Sequence, residues 1–516
     1  IKRRVCPLEV AVANMHASSD KNISKIIILN KERVLKMYKL YGDGIHDDTM
    51  AIQEMLDTKN SVVELPVPEK HYCISNTLEI YSNQTLKLGE TTTIKLMPNS
   101  SCFMLKNAEH DAHDIAIVGG IWDYDNKNQA PNPIRSGEYR KYSASHRDGN
   151  PDTIVKYVDA YRGSVMRFYK ITRLSIRDLT IKNPVTYCVE MAYIKYFTVE
   201  NIKFDQNLGN PTAENMDGIH VDGGCQYGSI RNVTFSNATI NGGSANCGVV
   251  AGFLGTNGLP GSCENVVVTN STVTGTRYVG GFAGVARTTG NVTGCRVENT
   301  TLTSTSYIAG FAAYVDLGSE DKYDVPAIFR DCHVSDVTIN QNNTTGGDIY
   351  TAGFVGFTSY GSSFIDCSVK ATIVADKNAS DKTLNDVGGF LGRSASTMGP
   401  TCINSHVLEG TTITAKATRV GGFVGYSEVA TTYNGCSSAA VITNAGNYTG
   451  GFAGYASGSS MFKESSASGD VTGAQQTGGF VGYAENASFT DSKYKTGTVT
   501  STYTGKTAQT AGFCGY

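Results

Sequence analysis

A Gly-Phe core recurs nine times in the second half of this 516-residue chain: "AGFLG", "GGFAG", "AGFAA", "AGFVG", "GGFLG", "GGFVG", "GGFAG", "GGFVG" and "AGFCG". Its phenylalanines are Phe253, Phe282, Phe311, Phe354, Phe390, Phe423, Phe452, Phe480 and Phe513, spaced 29, 29, 43, 36, 33, 29, 28 and 33 residues apart. A unit near 29 with occasional longer members fits one coil of a solenoid per repeat, the insertions lying at corners. Length alone would suggest about three domains, but a solenoid grows in one direction without such a limit. Coils stacked about 4.8 Å apart line up equivalent residues in columns. The expected columns are phenylalanine inside and glycine where the backbone turns or approaches closely.

Cysteine follows the same period. Cys295, Cys367, Cys402 and Cys436 each come 12 or 13 residues after a ladder phenylalanine, Cys332 follows after a longer loop, and Cys263 comes 10 after the first. Neighbouring coils have a Cα spacing that suits a disulfide. Parallel side-chain directions make bridging awkward, and Ser465 takes the cysteine's place in one unit. A column of buried thiols, packing as small hydrophobes, is the expectation.

The first half has the same texture with less regularity. From Ser61 onward, runs such as "SVVELP", "TLEIY", "TLKLG", "DIAIVGG" and "RLSIRDLTIKN" alternate apolar and polar residues between Asn, Gly and Asp corners. Before them, "NKERVLKMYKL" reads as a short helix or cap, and "YGDGIHDDTMAIQEMLD" as turn residues leading into a helix over Asp48–Asp57. Asp48 or Thr49 is its expected cap, with Met50, Ile52, Met55 and Leu56 as its apolar face. The fold predicted is all-β, a right-handed parallel β-helix with a short N-terminal capping helix. Its parts are 1–60 (N-terminal segment and capping helix), 61–244 (first solenoid) and 245–516 (repeat solenoid continuing the same stack).

Charge excludes one class of function. The 44 Lys+Arg and 47 Asp+Glu give a net charge of −3, without the basic stripe of a nucleic-acid binder. No run of 18 apolar residues spans a membrane. The 13 cysteines include no CxxC or Cys/His zinc spacing, and "HDAH" (His110, His113) lacks a third ligand, so neither a metal nor another cofactor is expected. The chain begins at Ile1 and reads as a processed segment. Its thirteen Asn-x-Ser/Thr sequons, Asn83, Asn232 and Asn270 among them, lean weakly toward secretion.

The stretch "AENMDGIHVDGG" places Asp217, His220 and Asp222 within six positions, flanked by Gly218, Gly223 and Gly224. "NMDGIH", the opening "YGDGIHDDTMAIQEML", the Gly-Gly turn of "DIAIVGGIWDYDNKN" and the coils of "RFYKITRLSIRDLTIKNPVTYCVEMAYIKYFTVENIKF" together resemble the pectin-lyase-like β-helix, in particular its polygalacturonase-type glycoside hydrolases. The likeness covers roughly 38–240. It implies a carbohydrate-active groove in which Asp217 is one carboxylate of several. An inverting mechanism needs an acid and a base about 6.5–9.5 Å apart. The family's following Asp-Asp pair, Gly-His-Gly and Arg-x-Lys have no counterpart here, and no carboxylate lies between Asp222 and Glu264. On one straight strand, Asp217 and Asp222 would face opposite sides unless the glycines bend it. The second half, about 245–516, resembles the bacterial cell-surface Gly-Phe-x-Gly repeats called GLUG, which are not themselves catalytic.

Asp217, Asp222 and His220 are the candidate catalytic residues. Trp122, Asp123, Asp125, Asp148, Tyr187 and Glu190 are the candidate substrate-binding residues, with Trp122, Tyr124, Tyr139 and Tyr142 offering rings for sugar stacking. The segment 124–152 lacks strand periodicity and reads as a loop walling the groove. Three readings are carried: an extracellular or cell-surface protein that binds, and with its acids in place cleaves, a polysaccharide as a glycoside hydrolase or lyase; a non-catalytic surface adhesin or glycan-binding protein on the same scaffold; or a structural filament or stalk. The halt at "TAGFCGY", within a repeat, leaves an open coil. The expectation is that the natural chain continues past Tyr516 or that another molecule covers it, as in a homo-oligomer or head-to-tail filament.

Overall fold

The Gly-Gly-Phe-x-Gly signature is explained by the space around it. The structure is a computed structural model that describes residues 39–130, 164–207, 218–222, 224–243, 246–254, 262–287, 290–316, 327–343, 348–359, 361–376, 385–395, 398–505 and 507–516. In the unit around Phe423, two short strands meet at Gly422–Phe423: Arg419–Gly421 and Val424–Ser427. A Cβ at Gly421 would overlap the Val424 carbonyl, one at Gly422 the Gly451 carbonyl, and one at Gly425 would lie 2.6 Å from the Gly392 carbonyl. No side chain fits there, so the two strands close into a tight arch. Phe423 turns inward, fully buried, and stacks at 4.7 Å on both Phe390 and Phe452. The same ladder runs from Phe282 to Phe513 in centroid steps of 4.6 to 4.9 Å. Offset stacking of this kind adds about 0.5–1.5 kcal/mol per pair to the burial itself. The side chain of Phe253 lies outside what is described.

Coils repeat in register. Strand pairing is parallel throughout the stack, as in Thr172 opposite Lys195, Tyr278 opposite Tyr307 and Val471 opposite Val499. One hydrogen-bonded sheet of 31 strands extends from Val62–Glu64 to Val499–Ser501, so both halves form one continuous β-helix. Right-handed crossover is the strong preference for connections between parallel strands of one sheet. The other side of the solenoid changes along its length. A five-stranded sheet covers the first half: β1 (Leu78–Ile80), β2 (Leu105–Asn107), β3 (Met166–Tyr169), β4 (Val189–Ala192) and β5 (Ile219–Asp222). From Ala251 onward two eight-stranded sheets replace it, β6 (Arg419–Gly421) belonging to one and β7 (Val424–Ser427) to the other.

Corners are made by residues that tolerate a left-handed backbone. Asp178, Asn201, Asn232 and Asn265 all have φ between 52° and 60°. They hydrogen-bond along the axis, Asn201 Nδ2 donating to Asp178 Oδ1 at 2.8 Å and Asn265 Nδ2 to Asn232 Oδ1 at 3.1 Å.

The cysteines form two columns, which corrects the single series read from spacing. One runs Cys295, Cys332, Cys367, Ser405, Cys436, Ser465, Ser492. Each member donates to a carbonyl of the preceding coil, Cys332 Sγ to Val292 at 3.4 Å and Ser492 Oγ to Phe462 at 3.0 Å, for example. Cys263 and Cys402 stand instead in the row of Val292, Phe329, Phe364 and Tyr433. The cysteines of the two columns are unbridged, and burial pushes the Cys263 and Cys436 thiols up to about 12.

The helix α1 spans Thr49–Asp57 and buries Ile52 and Leu56. Two details differ from expectation. Met50 is exposed, and neither Asp48 nor Thr49 caps the helix with its side chain. The Asp48 carboxylate accepts instead from the backbone N–H of Tyr41 at 2.6 Å and of Cys73 at 3.2 Å, tying the chain entry to the first coil. The Thr49 hydroxyl accepts from Ser75 N–H at 2.8 Å. Most of "NKERVLKMYKL" lies outside the described residues.

Candidate functional site

Alternation along β1–β5 puts the second residue of each strand on the outer face of the five-stranded sheet. Register aligns them as Glu79, Lys106, Arg167, Glu190 and His220. The residues before them, Leu78, Leu105, Met166, Val189 and Ile219, are core; of those after them, Ile80, Phe168 and Met191 are buried, Asn107 is half-buried and Val221 is exposed. A row of five charged or titratable side chains thus crosses the sheet.

Burial divides the row. At its start, Lys106 Nζ lies 3.0 Å from Glu79 Oε1, both part-exposed, and such a surface pair is worth about 0–1 kcal/mol. Further along, Arg167 and Glu190 are only 4% and 2% exposed. Arg167 Nε lies 3.1 Å from Glu190 Oε2 but does not aim its N–H at it, so the contact is a charge pair rather than a linear hydrogen bond. Ser164 Oγ donates to the same oxygen at 3.3 Å, and the guanidinium lies 5.7 Å from the centre of the Phe103 ring. Removing one partner of such a pair leaves an uncompensated buried charge, at a cost of about 3–5 kcal/mol. His220 is half-buried and stacks on the buried Tyr187 ring at 4.0 Å and 15°. Of these four groups His220 is the accessible one, Arg167, Glu190 and Tyr187 being only 2–4% exposed.

Of the residues singled out in the sequence, the structure brings together Tyr187, Glu190 and His220. Asp222 ends β5, its backbone opposite Ala192. Asp217 and Asp148 lie outside the described residues, as do Tyr139 and Tyr142. Trp122, Asp123 and Asp125 are elsewhere. Trp122 and Asp123 pair with Ile94 and Lys95 on one side and Ile181 and Lys182 on the other, in the long sheet. Trp122 is 0% exposed and Tyr124 is likewise buried, because both occupy inward positions; neither ring can stack on a sugar. Asp123 Oδ1 accepts from Asp125 N–H at 3.0 Å and from Asn183 Nδ2 at 2.8 Å. Asp125 pairs with Lys95 at 3.3 Å. Both acids build a turn. Among the described residues no group of three or more His, Cys, Asp or Glu could hold a metal ion, and no helix is long and apolar enough to cross a membrane.

Arg167 went unnoticed in the sequence, although a signal was available. The coil advance here is 23 residues, as from Thr172 to Lys195, and Arg167 precedes Glu190 by that number.

The fold and this row define a parallel β-helix with a polar strip across one sheet and Gly-Phe-x-Gly repeats beyond it. The family model described as "The GLUG motif" matches residues 445–472. No curated protein sequence matches the chain. Among solved structures, an exopolygalacturonase from Thermotoga maritima is 14% identical with a TM-score of 0.41, covering 75% of this chain and 87% of its own. PfbA, a surface adhesin of Streptococcus pneumoniae, is 16% identical with a TM-score of 0.34, covering 84% and 90%. The A-module of the mannuronan C-5 epimerase AlgE6 of Azotobacter vinelandii is 12% identical with a TM-score of 0.39, covering 89% and 98%.

Proposed function

We propose that this chain is an extracellular or cell-surface β-helix protein that binds a polysaccharide across the outer face of β3–β5, touching it through His220, with the buried Tyr187, Arg167 and Glu190 as its support. The observation that carries the reading is the buried Arg167–Glu190 pair beside the Tyr187–His220 stack. Buried charge is costly unless it is paired, and here Arg167 and Glu190 offset one another beside the Tyr187–His220 stack. The sequence resemblance of the same coils to polygalacturonase-type enzymes supports a sugar as ligand.

General acid–base work needs a carboxyl that reaches the substrate, and Glu190 is 2% exposed, with its Oε2 facing Arg167 and Ser164. Cleavage therefore rests on Asp217 and Asp222. Retardation in gels containing galacturonan, alginate, xylan or galactomannan tests binding, and release of reducing ends tests cleavage. The expected result is that wild type is retarded by at least one polymer and that Asp217→Asn abolishes any release of reducing ends while leaving retardation intact. Absence of retardation by every polymer overturns the proposal.

A further inference from the structure

Two tyrosines serve neither the core nor the polar row. Tyr196 and Tyr227 occupy equivalent corners of consecutive coils, between the paired positions Lys195 opposite Gln226 and Phe197 opposite Gly228. Their rings stack at 5.1 Å and 15°, yet they are 55% and 61% exposed. Both have a left-handed backbone, φ 58° and 56°. For a bulky side chain that conformation is an outlier costing about 1–3 kcal/mol, and Asn or Gly would hold such a corner more cheaply. On the two preceding coils the same corner carries Asp114 and Arg173, which pair with each other at 2.6 Å.

We propose that the Tyr196–Tyr227 pair is a stacking platform for the pyranose rings of a polysaccharide, a second subsite on the ligand whose binding at β3–β5 is proposed above. Tyr196 follows Glu190 by six residues and Tyr227 follows His220 by seven. At about 3.3 Å per residue, both lie within roughly 25 Å of the row, on the same coils. Each ring gives one face to its neighbour and much of its remaining surface to solvent. Exposed Lys195 and half-buried Gln226 stand directly beside them, ready to hydrogen-bond sugar hydroxyls. A protein partner fits less well. Two rings bury on the order of 300–500 Å², against about 800 Å² per side in a stable protein interface. The rest of this corner row is polar, Asn83 and the Asp114–Arg173 ion pair.

The test compares wild type with Tyr196→Ala/Tyr227→Ala and Tyr196→Phe/Tyr227→Phe, by affinity electrophoresis in whichever of the four polymers retards wild type. The alanine pair should weaken affinity roughly tenfold, about 1.4 kcal/mol, with an unchanged thermal midpoint, and the phenylalanine pair should bind like wild type. Equal binding by the alanine pair overturns the platform while leaving the β3–β5 site standing. A change in sedimentation without a change in binding overturns it too, by making the rings a protein contact. No retardation of wild type removes the parent reading, and this one with it.

Discussion

Cys436 donates its S–H to the Cys402 carbonyl at 3.4 Å, in a column where Ser405, Ser465 and Ser492 do the same with a hydroxyl. Cys402 is also buried but sits between Phe364 and Tyr433, in a row otherwise apolar apart from the Tyr433 hydroxyl. Cys436→Ser should therefore keep stability within about 1 kcal/mol, the value of one ordinary hydrogen bond. Cys402→Ser should lose about 1–3 kcal/mol by burying a hydroxyl there. Equal losses in urea denaturation would contradict the two-column account. Asp386 offers a pH test. It is fully buried, accepts from Arg419 Nε at 2.5 Å and lies 3.8 Å from Arg393 Nη1. Burial outweighs the pull of both guanidiniums and pushes its carboxyl from 3.8 up to about 6. A carboxyl with a raised folded-state value binds its proton more tightly folded than unfolded. Its contribution to stability is therefore fully present below about 4 and is lost as pH rises to about 6. Asp386→Asn removes that titration, so the urea midpoint of wild type should fall relative to the variant between pH 4 and 6. A constant gap between the two would contradict it.

At the scale of the element, the arch of β6, Gly-Gly-Phe and β7 depends on carbonyls packed where side chains would be. Gly421→Ala should force the strands apart, at a cost near the upper end of the roughly 1–3 kcal/mol typical of overpacking. Gly361→Ala is the control, because its nearest neighbour is the flexible end of Met398 at 3.3 Å, and its thermal midpoint should stay close to wild type. Equal shifts in the two variants would mean that the glycines are not there for close approach. The arch was legible in the sequence because its period is short and its residues nearly invariant from coil to coil. The two cysteine columns were not, since Cys402 and Ser405 lie three residues apart and loops of unequal length blur the spacing. The role of Asp48 was hidden for another reason. Its partner Cys73 is 25 residues away, and no local capping rule reaches that far.

For the whole molecule, the continuous stack followed from the repeats, but the exchange of one five-stranded sheet for two eight-stranded ones did not. The glycines that permit the arch also resemble ordinary turn residues. The site was legible only in part. Glu190 and His220 were visible as polar residues inside apolar strands, whereas their neighbour Arg167 needed the coil advance of 23 to be placed. Trp122 misled because its inward position depends on strand phase, which "GGIWDYDN" leaves open. The central claim is that a polysaccharide lies across β3, β4 and β5. Hydrogen–deuterium exchange with and without the polymer that retards the protein tests it most directly. Protection should concentrate in the peptides holding Met166–Tyr169, Val189–Ala192 and Ile219–Asp222. Protection confined to the Gly-Phe repeats beyond residue 251 would contradict it.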